Sequence, residues 1–392
     1  MRFIFLNRFY WPDEPATAQL LTDLAEELAA RGHDVTVITS HSGQASQPAR
    51  ETRRGVLIRR VRATRSKGVG RILDFATFHL GALATLLMTA RKGDRVIALT
   101  DPPLLGVGTW AVGRLTGARV WHWVQDIYPE IAERLTGHTR LSVLRPLRNL
   151  AWRHAAGCVV LDADMAAHVR EAGVPASRIV TVANWAPAGL APQPSDAAAD
   201  LRREWQLESR FVVEYSGNLG RVHDLEPVLD VAEALKGDPS VAFVFIGSGP
   251  QRASLVATAN ARGLGNVQFR PAQRRDQLNR TLALGDVHLV TLLPGCEGLV
   301  FPSKLYGAVA VGRPILVIGP RTSELARTVA DHHIGAAFSR DEVPTVAAWI
   351  RALREDATRQ AELRRAAAAF HAAGMTPARA ADEWLDWTGR EG

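Results

Sequence analysis

Residues 2–39 read RFIFLNRFYWPDEPATAQLLTDLAEELAARGHDVTVIT and predict the fold of the first half of the chain. The apolar run Arg2–Leu6 predicts a strand, and leucines at three- and four-residue spacing across 16–31 predict a helix that ends before Gly32. A second β-rich run, 34–39, follows at once. Strand, helix and strand in close succession are typical of a βαβ unit on a parallel sheet.

The same alternation continues along the chain and restarts once. Strands are predicted at 2–6, 34–39, 56–62, 95–99, 120–124, 157–161 and 179–182, and again at 211–215, 241–246, 267–270, 287–292 and 314–318. Between the two series, 186–200 is rich in Pro, Ala and Asp and has no periodicity, which is typical of a linker. We therefore predict an α/β protein with two doubly wound domains, at 1–190 and 206–374, joined by a linker at 191–205. Trp384 and Trp387 predict that a last helix, within 375–392, docks on the protein.

Composition excludes several classes of protein. The chain has 392 residues, 47% hydrophobic and 22% charged, which excludes collagenous and largely disordered proteins. Two cysteines, Cys158 and Cys296, are too few for a disulfide framework and predict a reducing, cytoplasmic environment. The first apolar run is too short for a signal peptide, and the apolar stretch 75–90 is too short to span a bilayer.

Charge is distributed unevenly along the chain. Residues 1–190 hold 24 Lys and Arg against 16 Asp and Glu, whereas the remainder holds 23 against 24. Nine of these basic residues fall within Arg50 to Arg71, where Glu51 is the one acid. Because no nucleic-acid-binding motif accompanies them, we predict that this segment contacts an anionic membrane surface and not nucleic acid. The alternative is a solvated loop.

The segment 294–314, PGCEGLVFPSKLYGAVAVGRP, carries the strongest signal for chemistry. A glycine-rich loop follows a predicted strand, and Ser303 and Lys304 open a short helix. Backbone N–H groups, a helix dipole and a lysine together favour a diphosphate ligand. The alternative is that Ser303 only caps the helix and Lys304 is solvated.

Two further loops follow the first two strands of the second domain. Residues 215–221 read YSGNLGR and residues 247–250 read GSGP. Gly217 and Gly247 allow close approach of the backbone, and Arg221 can pair with phosphate oxygens. Three such loops at neighbouring strand ends predict a nucleotide site.

Polar residues also follow the strands of the first domain. Asp126 follows a strand in HWVQDIYPE and is predicted to face a cleft between the two domains, the alternative being that it caps the next turn. Three other polar residues follow the first and fourth predicted strands and would form a wall of that cleft, where an acceptor substrate binds: Glu14, Thr17 and Asp101. Asp162-Ala163-Asp164 has the form of a DxD metal motif, but its position before a helix indicates an N-cap, so no metal site is predicted.

Together these segments resemble the bacterial glycosyltransferases of family 4, which have the GT-B fold of two Rossmann-like domains facing a cleft. The resemblance covers nearly the whole chain and depends on the order of 5–39, VQDIYPE, Asn184-Trp185, YSGNLGR, FIGSGP and FPSKLYGAVAVGRP. It implies a retaining, metal-independent enzyme that uses a UDP- or GDP-sugar and no cofactor. The donor would be bound by the second domain and the acceptor by the first, and the last helix would cross back to the first domain.

The resemblance also implies roles for individual residues. The donor would be bound by Gly217, Asn218, Arg221, Gly247, Arg270, Glu297, Ser303 and Lys304, with Arg270 near the base. Asp126 falls where many members place a histidine near the transferred sugar. One departure concerns the two glutamates of the family, whose positions are occupied by Leu299 and Gly307; Glu297, two residues early, is the candidate replacement. Asp126 and Glu297 are therefore the predicted catalytic residues.

The predicted function is transfer of a sugar to a lipid-linked glycan in the synthesis of O-antigen or another cell-surface polysaccharide, at the inner face of the membrane. Two alternatives remain. A nucleotide-sugar 2-epimerase shares the fold but needs no lipid acceptor, and a catalytically degenerate protein would bind a nucleotide sugar without transferring it.

Overall fold

The computed structural model describes residues 1–13, 15–41, 47–64 and 71–390. The chain forms two compact units. The first unit comprises Met1–Asn184, Gly298–Phe301 and Met375–Gly392, and the second comprises Trp185–Glu297 and Pro302–Gly374. The short segment Gly298–Phe301 thus lies in the second half of the sequence but belongs to the first unit.

An eight-stranded sheet forms the centre of the first unit. Its strands are β1 (Arg2–Leu6), β2 (Asp34–Ser40), β3 (Arg50–Arg53), β4 (Val56–Val61), β5 (Arg95–Ala98), β6 (Arg119–Trp123), β7 (Gly157–Val160) and β8 (Ile179–Thr181). Their spatial order is β3-β4-β2-β1-β5-β6-β7-β8. Every pair is parallel except β3 with β4.

Six helices connect these strands: α1 (Ala16–Ala30), α2 (Arg71–Thr89), α3 (Leu105–Thr116), α4 (Glu130–Thr136), α5 (Arg145–His154) and α6 (Ala163–Glu171). Strand β1 is buried on both faces, as expected of a central parallel strand. Ile4 and Leu6 belong to one core with Phe78 of α2 and Leu105 of α3. Phe3 and Phe5 point to the opposite face, because side chains alternate along a strand.

The second unit contains a six-stranded parallel sheet. Its strands are β9 (Phe211–Ser216), β10 (Val241–Ile246), β11 (Val267–Arg270), β12 (Val287–Thr291), β13 (Ile315–Ile318) and β14 (Gly335–Phe338), in the order β11-β10-β9-β12-β13-β14. Its helices are α7 (Ala199–Glu204), α8 (Glu226–Ala234), α9 (Arg252–Ala261), α10 (Leu278–Leu282), α11 (Lys304–Ala310), α12 (Glu324–Asp331), α13 (Val343–Glu355) and α14 (Ala357–Ala373).

The last helix, α15 (Pro377–Gly389), belongs to the first unit. The Trp384 ring lies 6.4 Å from the ring of Phe5 and 5.4 Å from that of Trp123. At the outer side of α15, Arg31 of α1 pairs with Asp382. Trp384, one of the two aromatic residues that indicated docking, is therefore buried on the sheet face opposite α2 and α3, and Trp387 is partly buried.

Three elements differ from the sequence prediction. Strand β3 has the polar sequence RETR and pairs with β4 through a two-residue turn, Arg54-Gly55, in which both residues have positive φ. Strand β14 consists of small residues, GAAF, and had no apolar run to reveal it. The segment 191–205, predicted as a linker, contains α7 and contributes Ala198, Leu201 and Trp205 to the core of the second unit.

Across the described residues, no helix is both long enough and apolar enough to cross a membrane.

Candidate functional site

Two glycine loops of the second unit lie in direct backbone contact. Where β9 and β10 end, a Cβ added to Gly247 would lie 2.0 Å from the carbonyl oxygen of Gly217, and both glycines have positive φ. The next residues are paired as well, since the Leu219 N–H donates to the Ser248 carbonyl at 2.8 Å. Only glycine fits this crossing, so the two loops form one continuous backbone surface at the carboxyl edge of the sheet.

Lys304 lies against this surface. Its Cε is 3.1 Å from the position that a Cβ on Gly217 would occupy, and its Nζ lies 4.9 Å from the centre of the Tyr215 ring. Burial lowers the pKa of Lys304 to about 7. A partly desolvated amine next to two glycine loops gains most from an anionic ligand, because the ligand supplies the countercharge that burial withholds.

The partner of Lys304 is His223, which the sequence analysis missed. His223 Nδ1 lies 2.9 Å from the carbonyl oxygen of Thr291, so this nitrogen carries the proton and donates. Its Nε2 is then an acceptor and lies 2.8 Å from Lys304 Nζ. Burial, followed by the charge of Lys304, lowers the pKa of His223 to about 3. The imidazole therefore stays neutral and holds the lysine in place.

The other predicted donor residues surround this pair or lie further along the edge. Asn218 and Arg221 are exposed on the loop that follows Gly217. Ser303 occupies the N-cap position of α11 but makes no capping hydrogen bond through its side chain. Arg270 ends β11, where its carbonyl accepts the Gly247 N–H at 3.0 Å, but its guanidinium stacks over Trp205 at 4.9 Å.

The motif at 294–314 does not form a single loop. Ser303 and Lys304 belong to the second unit, whereas Gly298–Phe301 belongs to the first. Gly298 has a φ of 67°, and a Cβ there would lie 2.6 Å from His168 Cδ2 and 2.7 Å from the backbone carbon of Asp164. Glycine at this position is therefore required by packing within the first unit. Glu297, partly buried, immediately precedes it.

Asp126 of the first unit is held by that same segment. It forms an antiparallel bridge with Val300, and the Ile127 N–H donates to the Leu299 carbonyl at 2.8 Å. The Asp126 N–H donates to Thr100 Oγ1 at 3.3 Å. Burial, followed by the charge of Asp101, raises the pKa of Asp126 to about 7. Its carboxyl group can therefore exchange a proton near neutral pH.

A cleft of about 400 Å³, counting its open mouth, lies beside Asp126 within the first unit. His122 and Trp152 line it together with Leu104 and Tyr128. Arg148 closes one side and is fixed by two hydrogen bonds to Glu130, at 2.7 and 2.8 Å. The Asp126 segment is thereby anchored to α5.

The remaining candidates of the first unit are placed as follows. Thr17 lies in the first turn of α1 and Asp101 lies three residues after the end of β5, both partly buried, whereas Glu14 lies outside the described residues. The Asp162 carboxylate accepts the Met165 N–H at 2.6 Å, which confirms that it caps α6. Over the described parts of the chain, no three His, Cys, Asp or Glu side chains are grouped so that they could hold a metal ion.

Two family models match the chain. The glycosyl transferase 4-like domain matches residues 17–185, and the glycosyl transferases group 1 model matches residues 198–370. An Escherichia coli K12 protein named as a colanic acid biosynthesis glycosyl transferase is 26% identical over 348 residues, which span 83% of this chain and 85% of that protein. A Pseudomonas aeruginosa protein named as a glycosyltransferase is 29% identical over 278 residues, or 69% of this chain and 67% of that protein.

The fold is likewise similar to that of solved structures. The Anabaena protein HepE, solved in complex with UDP and glucose, superposes with a TM-score of 0.76 at 18% identity, and the match covers 100% of both chains.

Proposed function

Because this chain belongs to the two-domain glycosyltransferases of the GT-B fold, we propose that it transfers a sugar from a nucleotide-diphospho-sugar to an acceptor hydroxyl group. The observation that carries the proposal is the Lys304–His223 pair, set against the contact between Gly217 and Gly247. The neutral imidazole of His223 does not compensate the positive charge of Lys304, so the amine is suited to bind a diphosphate.

The diphosphate would be bound by Lys304, Arg221 and the N–H groups of the two loops. These donors stabilise the negative charge that develops on the departing nucleoside diphosphate, which is the largest catalytic contribution in reactions of this kind. Asn218, Ser303 and Glu297 are assigned to the phosphates and the sugar hydroxyls, and Arg270 to the base. That HepE was solved with UDP and glucose supports a uridine nucleotide as the first donor to test.

The transfer would proceed with retention and without a metal ion. The acceptor oxygen attacks the anomeric carbon on the face from which the diphosphate departs, and the carbon–oxygen bond to the β-phosphate breaks as the new bond forms. The proton of the acceptor ends on the released diphosphate. Asp126, with its raised pKa, would orient the acceptor hydroxyl and ease the loss of that proton.

Thr17, Asp101 and Glu14 are assigned to the acceptor. The E. coli relative is named for colanic acid biosynthesis, which supports a lipid-linked glycan as the acceptor and O-antigen or a similar surface polysaccharide as the product. Such an acceptor is presented at the inner face of the membrane, where the enzyme would be peripheral.

A thermal-shift panel with UDP, GDP, dTDP and ADP tests the donor site, because a ligand that binds only the folded chain raises the melting temperature. We expect one nucleotide to stabilise the wild type and the same nucleotide to stabilise Lys304→Ala far less. The matched control is Lys236→Ala, a change of an exposed lysine elsewhere in the same unit. Equal stabilisation of both variants would exclude Lys304 from the site.

A further inference from the structure

Exposed large apolar side chains are concentrated on one part of the first unit. Apart from Met1, every such residue among those the structure describes lies on α2, α3, the 3₁₀ turn Thr139–Leu144 or α5. They are Leu73, Leu80, Leu87, Met88, Leu115, Leu141, Val143, Leu147 and Leu150. The second unit, which is described completely, has none.

Helix α2 is apolar on both of its faces. Phe78, Ala82 and Leu86 are buried in the core of the first unit. On the opposite side, Leu73, Leu80 and Leu87 recur every seven residues and are exposed, Leu80 to 72%. A helix at a water-exposed surface normally carries polar residues there. The outer side of α2 is therefore suited to an apolar environment.

This outer side continues onto neighbouring helices. Helix α3 packs against both α2 and α5, and Phe78 of α2 and Leu105 of α3 share one core beneath them. Leu115 at the end of α3 is 78% exposed, and Val143 before α5 is 74% exposed. We call the outer side of α2, α3 and residues 139–154 the helical face.

The charge around the helical face has one sign. All six acids between residues 52 and 156 are buried or partly buried: Asp74, Asp94, Asp101, Asp126, Glu130 and Glu133. Basic residues on or next to the three helices are exposed, namely Arg91, Lys92, Arg114, Arg140 and Arg153. An apolar surface bordered by cations and lacking exposed anions is complementary to an anionic bilayer.

Four arginines of the segment Arg50 to Arg71 are less available than the sequence indicated, whereas Arg50 and Arg62 are exposed. Arg53 and Arg54 both pair with Glu26, and Arg60 is buried and pairs with Glu51 at 2.6 Å. Arg59 donates to Thr89. Arg65 and Lys67 lie outside the described residues. The predicted membrane contact is therefore better supported at the helical face than at this segment.

We propose that the helical face lies on the surface of an anionic lipid bilayer, with its leucines at the boundary between headgroups and acyl chains. The inference deepens the proposed function, on which its biological meaning rests, because a lipid-linked acceptor would be met at that surface. Binding to the bilayer itself needs neither donor nor acceptor, so it can be measured independently of sugar transfer.

Flotation of the full chain with vesicles, without nucleotide, tests the proposal. We expect co-flotation with phosphatidylcholine vesicles that contain phosphatidylglycerol, weaker binding to pure phosphatidylcholine, and a decrease as salt rises. Leu80→Gln combined with Val143→Gln should abolish most binding. Arg114→Ser combined with Arg140→Ser should weaken it about fivefold for each arginine. Arg365→Ser, an exposed arginine of α14, is the matched control and should bind like the wild type.

Three results would overturn the proposal. One is equal binding to charged and neutral vesicles, and another is unchanged binding of the leucine and valine variant. The third is sedimentation showing that the helical face joins two copies of the chain, with the same variant monomeric. Melting temperatures and nucleotide-induced shifts equal to the wild type establish that each variant is folded. Loss of vesicle binding with an intact nucleotide shift would separate this inference from the donor site.

Discussion

The side-chain amides of Gln125 and Asn184 exchange two hydrogen bonds, although 59 residues separate them. Gln125 Nε2 donates to Asn184 Oδ1 at 3.1 Å, and Asn184 Nδ2 donates to Gln125 Oε1 at 3.0 Å. Both side chains are buried. The pair therefore fixes the backbone directly before Asp126 to Asn184, where the segment Met1–Asn184 of the first unit ends.

Breaking this pair should destabilise the chain. Asn184→Leu leaves the Gln125 amide buried without its partner, and we expect the free energy of unfolding to fall by about 1–3 kcal/mol. Gln125→Met should cost a similar amount for the same reason. The double variant leaves no amide unpaired, so it should be about as stable as either single variant. Urea denaturation of the wild type, the two single variants and the double variant measures this double-mutant cycle. Strictly additive losses in the free energy of unfolding would show that the two amides act independently.

Nucleotide affinity should depend on pH through Lys304. The pKa of this lysine is about 7 in the free protein, so the charged form that attracts a diphosphate declines as pH rises above that value. If only the charged form binds well, the apparent affinity falls by about fivefold between pH 7 and pH 8, because the charged fraction falls by that factor. Calorimetry across this range checks the effect, and Lys304→Ala should bind weakly with little pH dependence. A variant that keeps the wild-type slope would assign the titration to another group.

His223 gives a second test of the same pair. His223→Phe keeps an aromatic ring but removes the acceptor for Lys304 Nζ, so the lysine loses its fixed position. We expect weaker nucleotide binding and a changed midpoint of the pH dependence, with His288→Phe, a buried histidine elsewhere in the unit, as the comparison for stability. Unchanged binding at every pH would mean that Lys304 is positioned without the imidazole.

Activity should rise with pH through the titration of Asp126. Its pKa is raised to about 7, so the carboxylate that orients the acceptor hydroxyl, by accepting a hydrogen bond from it, forms only as pH increases through that value. The expected profile of kcat/KM therefore has an acidic limb near pH 7. Asp126→Asn should lower kcat by about 10²–10⁴-fold and remove the limb. Asp101→Asn should move it to lower pH, because the Asp101 charge contributes to the raised value. A limb that stays in Asp126→Asn belongs to a different residue.

The contact between the two glycine loops should tolerate no side chain. In Gly247→Ala the new methyl would overlap the Gly217 carbonyl oxygen, and the φ of 145° is unfavourable for alanine. We expect a loss of at least about 2 kcal/mol of stability together with loss of nucleotide binding. Gly265→Ala is the matched control, since a Cβ there has open space, and it should change stability by less than about 0.5 kcal/mol. Similar melting temperatures for the two variants would contradict the crossing.

Much of the fold could be predicted from the sequence, because its central strands are continuous apolar runs buried on both faces. Strands β1, β10 and β11 occur at the predicted positions, and the other predicted strands differ by one residue at one or both ends. Strand β3 was missed because an edge strand needs no apolar face. Strand β14 was missed because it consists of small residues, which pack closely against β13 without forming an apolar run. Gly335 shows this, since a Cβ there would lie 1.8 Å from the Ile315 carbonyl oxygen.

The candidate site was predicted less completely, because hydrogen bonds between distant residues leave little trace in sequence. Lys304 and the glycine loops carry local patterns and were found. His223 does not, although a histidine two residues after Arg221 in a glycine-bordered loop was a usable signal. Gln125 and Asn184 both stood in recognised segments, but nothing in either segment indicated that they pair.

Because the short segment Gly298–Phe301 belongs to the first unit, the boundary between the two units does not fall at a single position in the sequence. The chain passes from one unit to the other at 184/185, 297/298, 301/302 and 374/375, so neither unit is encoded by one uninterrupted stretch. A fragment ending at Asn184 would lack both α15 and the segment Gly298–Phe301, in which the Leu299 carbonyl accepts the Ile127 N–H. Exchange of whole domains between relatives would therefore have to carry these four residues along with the first half, and splicing at 190 alone would leave Asp126 beside a peptide inherited from the other parent.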